Sequence, residues 1–65
     1  MSSNFNLANM EKRYITEALI RTKNIHHQAS NLLGISIRTL SRKKAEHKID
    51  NELIYELIDK RKNRN

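Results

Sequence analysis

Arg38, Arg42 and Lys43 fall within one short stretch, interleaved with Thr39 and Ser41 and preceded by Ser36 and Ile37. A guanidinium is a planar fork of donors that matches the paired acceptors of a guanine edge, whereas a lysine or a hydroxyl suits a phosphate oxygen. If the stretch is helical, Arg38 and Arg42 stand at i, i+4 and share a face. Ser36, Ile37, Arg38, Ser41 and Arg42 are then placed to reach base edges. Thr39 and Lys43 are better placed for phosphates, which hold register and make binding salt-dependent. The plainer alternative is a charged face that only meets solvent.

His26 and His27 invite a metal or a pH switch, because imidazole titrates near neutrality and ligates metals. Adjacent helical residues point about 100° apart, however, and the chain holds no cysteine to complete a site. A phosphate contact at the positive end of the helix they open, or plain exposure, is preferred to a metal. The seven carboxylates are scattered among basic residues, and no glycine-rich phosphate loop is present. No metal, cofactor or enzymatic activity is expected.

These side chains need elements to hold them. The chain has one glycine and no proline, so there is little material for turns, and an all-α fold is expected. Gly34 stops a helix running from about His26 to Leu33, because glycine enters the left-handed conformation without a Cβ penalty. Ile35 folds back as the apolar contact of that stop. Ser36 caps a third helix from about Ile37 to His47. Ala29 and Ser30 are small enough for the two helices to approach, and Leu40 anchors the second of them inward. Two helices joined by a tight glycine turn, the second one basic, is the physical description of a helix-turn-helix, here 25–48.

Flanking helices complete the unit. One runs from Leu7, capped by Asn6 or Asn4, to about Lys23, with Leu7, Met10, Tyr14, Ile15, Ala18, Leu19 and Thr22 recurring at helical spacing and Glu17 four residues before Arg21. So wide a stripe suits either the chain's own core or a second subunit. The other begins at Asp50 or Asn51 and ends among Lys60, Arg61 and Lys62, carrying a seam of Leu53, Ile54, Leu57 and Ile58. At about a dozen residues it is marginal alone, so that seam must be buried on the first helix, a second subunit or another protein. The basic residues at its end suit either a second phosphate strip or a solvated terminus.

At 65 residues the chain is a single small domain, and without disulfides a core of this size is helped by dimerisation. Its formal charge of +6 favours a polyanion as partner. No apolar run approaches the roughly 20 residues that span a bilayer, and the first residues lack the pattern of a signal peptide. No membrane partner is expected, and the location is cytoplasmic and nucleoid-associated.

From Met10 to Ile49 the chain resembles the DNA-binding domain of the Fis family, which also closes many nitrogen-regulator type activators. Glu11-Lys12-Arg13-Tyr14-Ile15 with Ala18-Leu19 resembles that family's dimer-forming helix. Ala29-Ser30-Asn31-Leu32-Leu33-Gly34-Ile35-Ser36 resembles its turn segment, and Arg38-Thr39-Leu40-Ser41-Arg42-Lys43 resembles its recognition helix. The resemblance implies a homodimer, formed through Met10, Tyr14, Ile15, Ala18 and Leu19, that presents two recognition helices to double-stranded DNA. It implies a bacterial or phage transcriptional regulator or architectural factor. An alternative is an accessory subunit of a transposase, recombinase or phage system that docks its enzyme through Leu53, Ile54, Leu57 and Ile58. The departures are Asn24-Ile25 where the family has Gly-Asn, Ile37 for a frequent arginine, Lys44 for an apolar residue and Lys48 for the closing glycine. The last two predict a third helix that runs longer and is held less tightly, and Ile37 predicts a different sequence preference.

Overall fold

The computed structural model describes residues 6–62, and among these the chain forms four α-helices and no strand. They are α1 (Leu7–Arg21), α2 (His26–Leu33), α3 (Ile37–Glu46) and α4 (Asn51–Lys62). Asn6 caps α1, its side-chain oxygen accepting from the amides of Ala8 and Asn9 at 2.8 and 3.2 Å. Asn4, the other candidate cap, lies outside the described residues. Ser36 caps α3 by accepting from the Thr39 amide at 3.1 Å, and the Asp50 carboxylate accepts from the Leu53 amide at 2.8 Å at the start of α4.

Three helices stop by one geometry. At the end of α2 the Gly34 amide donates to the Asn31 carbonyl and the Ile35 amide to that of Ser30, with Gly34 at φ 74°. This pair of bonds satisfies orphan carbonyls and requires a left-handed residue after the last turn. The same pair closes α1, from Lys23 to Ile20 and Asn24 to Leu19, and α3, from Lys48 to Ala45 and Ile49 to Lys44. Lys23, Asn24 and Lys48 accordingly have φ of 54°, 64° and 56°. Glycine therefore occupies one of three stops that favour it.

Two expectations are corrected here. α1 ends at Arg21 rather than near Lys23, because Lys23 has already left helical space. α3 ends at Glu46, within one residue of the expected His47, and does not run longer as the departure at Lys48 predicts, because Lys48 adopts the left-handed conformation that a closing glycine would. The replacement alters the strain at the stop and leaves its position unchanged.

The core draws on every helix: Ile15, Ala18 and Leu19 from α1, Ala29 from α2, Leu40 from α3 and Ile54 from α4, with Ile49 from the last connection. Leu33, Ile35, Leu53 and Ile58 pack partly buried around it. Fully burying a leucine- or isoleucine-sized side chain contributes about 1.5–3 kcal/mol, so this short list carries most of the apolar driving force. Ser30, 3% exposed, is the small residue that lets α2 come close, its hydroxyl donating to the His27 carbonyl at 2.9 Å.

The core takes up residues that the sequence also offers to a partner. Ile15, Ala18 and Leu19 are at most 3% exposed, packed within the one chain. Ile54 is equally sealed and Leu53 and Ile58 lie against the core, whereas Leu57 is half-buried beside an open groove with Ile20 and Arg61. Where the first-helix stripe and the last-helix seam could have met a partner, they meet each other.

Candidate nucleic-acid interface

α3 is held from both ends and along one side. Leu40 is wholly buried, and Lys43, Lys44 and His47 are half-buried on the same side of α3. At about 100° per residue Arg38, Ser41, Arg42 and Ala45 lie away from Leu40 and are exposed, and Ile37, one turn before Leu40, is exposed at the start of the helix. Neither Arg38 nor Arg42 has a side-chain partner among the described residues, whereas Glu17, Arg21, Lys43 and Arg61 all stand in ion pairs. Two free guanidinium groups thus project from the side of the helix away from Leu40.

Not every expected contact residue is free. The Ser36 hydroxyl accepts from the Thr39 amide and donates to the Thr39 hydroxyl at 2.9 Å, so both side chains are engaged in the cap. Lys43 turns toward α1, its Nζ 2.8 Å from Glu11. His47 Nε2 lies 2.7 Å from the other Glu11 oxygen. Hydrogen bonds from Lys43 and then from His47 hold the Glu11 carboxyl below its ordinary value. Glu46 also lies near Glu11 and His47, with potential ligand atoms within 4.8 Å of one another. Both Glu11 oxygens are already taken, one of them by the Lys43 cation, so this group is an ion-pair cluster that fastens α3 to α1.

His26 and His27 separate. His27 is exposed, while His26 is half-buried with its Nε2 3.1 Å from Lys44 Nζ. Burial first, and the Lys44 charge second, lower the pKa of His26, so near neutral pH it is uncharged and offers its ring nitrogen to the ammonium. His26 is thus engaged with Lys44, whereas His27 faces solvent. Lys44 also donates to Asn51 Oδ1 at 3.0 Å, and Asn51 Oδ1 accepts from Asn24 Nδ2 at 3.1 Å. The position at which an apolar residue was expected thus joins the start of α2, the last turn of α3 and the start of α4 by polar contacts. No single-residue motif marks that network, because its members are 18 and 27 positions apart in sequence. α2 itself starts at Ile25 without a side-chain cap, which leaves its first-turn amides open.

On the far side, Arg61 reaches from α4 to Glu17 with two bonds of 2.6 and 3.0 Å, and Arg21 adds a third at 2.8 Å from within α1. Arg61 and then Arg21 push the Glu17 carboxyl down to about 2. Of the first-helix stripe, Tyr14 is 62% exposed, Leu7 81% exposed and Met10 half-buried. With Leu33 and Ile35 they line an apolar groove beside α1. Leu32, 58% exposed, lies with Tyr14 and Leu33 along its continuation. No helix among the described residues is long and apolar enough to cross a membrane.

Comparison with known proteins agrees with this geometry. The sequence model of a family described as bacterial regulatory protein, Fis family, with a helix-turn-helix, matches residues 6–47. The match takes in α1 to α3 and stops before α4. Neither a curated protein nor a solved structure matches the chain.

Proposed function

We infer that this chain, which belongs to the Fis family of bacterial regulatory proteins, binds double-stranded DNA as a homodimer and acts as a transcriptional regulator or architectural factor. The observation that carries the reading is the pair of unpartnered guanidinium groups, Arg38 and Arg42, on the outward face of α3 opposite buried Leu40. The first residues of a recognition helix meet base edges in the major groove, and arginine on guanine is the commonest specific contact there. Ser41 lies on the same face. His27 and the uncapped start of α2 supply phosphate contacts, since open amides and the helix dipole favour an anion. Lys43 contributes to the positive field while paired to Glu11.

The dimer forms through what α1 leaves exposed. Leu7, Met10 and Tyr14, continued by Leu32, are the apolar surface remaining after Ile15, Ala18 and Leu19 have been used by the protomer. A chain this short gains from the extra burial. Binding rather than catalysis is the output, and the place of action is the nucleoid. Docking of a recombination enzyme through α4 is disfavoured because Leu53, Ile54 and Ile58 of the α4 seam are occupied within the protomer.

Mobility shifts on mixed duplexes at low and raised salt, with sedimentation of the free protein, test the reading. Binding that weakens steeply with salt, by a dimer, is expected. Failure to shift any duplex at low salt overturns it.

A further inference from the structure

Ile37 is the first residue of α3, and its side chain remains 49% exposed. It belongs to no part of the core cluster and is the exposed large apolar residue that α3 carries. The preceding cap fixes its backbone, since Ser36 binds the Thr39 amide, and a β-branched side chain on a helix is nearly confined to one rotamer. Ile37 thus presents a rigid apolar knob beside Arg38 and one turn before Ser41. Down the same side, Ile37, Ser41 and Ala45 at i, i+4 and i+8 make an apolar or small row next to the Arg38 and Arg42 row.

In the major groove one base offers an apolar group, the C5 methyl of thymine. Isoleucine has no donor for guanine O6 and N7 and no acceptor for the cytosine amine. Either base placed against it would lose water from a polar edge without regaining a hydrogen bond. A thymine loses little, because the methyl group is what meets the side chain. Resting on the DNA-binding reading above, we propose that Ile37 is a specificity-determining residue that selects a thymine through its methyl group, beside the guanine contacts of Arg38 and Arg42.

The test is selection of bound sequences from a random duplex pool, followed by replacement of each thymine in the selected site by uracil, which removes only the methyl. The wild-type protein should lose about fourfold in affinity at one such position, the worth of one methyl group withdrawn from burial. Ile37→Ala should be indifferent to the same replacement while keeping its helical circular dichroism, because the side chain is outside the core. If no thymine is methyl-sensitive, or if the sensitivity persists in Ile37→Ala, the inference is overturned and DNA binding stands. If the pool yields no enriched sequence, the inference is overturned, and the DNA-binding reading falls with it only if no duplex is shifted at low salt either.

Discussion

The amide of Ile49 donates to the carbonyl of Lys44 at 2.9 Å, closing α3 by the bond that Ile35 and Ser30 form at the end of α2. In α2 the residue between is Gly34, and in α3 it is Lys48 at φ 56°. A side chain with a Cβ in that region costs about 1–2 kcal/mol relative to the right-handed one, and glycine bears no such cost.

Lys48→Gly should therefore stabilise the protein by about 1 kcal/mol, partly offset by the greater freedom of glycine in the unfolded chain. For a domain of 60–100 residues that corresponds to a rise in Tm of about 4–8 °C, read by thermal melting. Lys23→Gly, at φ 54°, should behave similarly. A fall in Tm for both would mean that these helix ends do not take the left-handed conformation in solution.

The Glu17–Arg61 pair gives a pH dependence whose sign follows from the lowered carboxyl. Glu17 titrates near 2 when folded, against an ordinary 4.5, so its contribution is complete above pH 4.5 and is lost as pH falls toward 2. Both side chains are substantially exposed, so solvent screens the pair and the effect is small. Denaturation midpoints of wild type and Glu17→Gln should differ by a constant amount above pH 4.5 and converge below it. A difference that persists unchanged to pH 2 would show that α4 is not fastened to α1 through this carboxylate.

How much was legible in the residues follows from the range of each interaction. Caps and stops are local, so Asn6, Ser36, Gly34 and Asp50 announce their roles by type, and helical periodicity places all four helices to within a few residues. Which partner a stripe meets is not local. Ile15, Ala18 and Leu19 satisfy the pattern of a dimer face as well as that of a core, and their burial depends on Ala29, Leu40 and Ile54 from three other helices. Lys43 and Arg42 are neighbours in a basic run, yet Glu11, 32 positions before Lys43, takes one and leaves the other free. The stop at Lys48 was missed for a different reason: composition reveals glycine, not a lysine forced into glycine's conformation.

Tyr14 and Leu19 separate the proposed dimer surface from the core. Tyr14 is 62% exposed and Leu19 is sealed, so substitutions there should act on different equilibria. Tyr14→Asp should place a charge in the apolar surface proposed to lie between protomers and shift sedimentation toward monomer at micromolar concentration, with helical content retained. Leu19→Ala should cost about 2–5 kcal/mol and unfold much of the population, as a truncation inside a packed core does. A Tyr14→Asp protein that remains dimeric would move the interface off this face of α1.

Arg42 is the sharpest test of the reading helix. Its guanidinium is exposed on α3, and removing it touches neither the cap at Ser36 nor the Leu40 anchor. Arg42→Ala should therefore leave folding and dimerisation unchanged while weakening binding to a selected site by about 1–3 kcal/mol, or roughly fivefold to 150-fold. The pattern of the loss identifies the contact. A base contact relaxes preference at one position and spares nonspecific duplex, whereas a phosphate contact weakens all duplexes alike and reduces the salt slope by about one. Because Lys43 is already bound to Glu11, Lys43→Ala should alter site preference much less. Wild-type affinity in Arg42→Ala, with Lys43→Ala impaired, would place the DNA against the other side of α3 and require the Glu11 pair to open on binding.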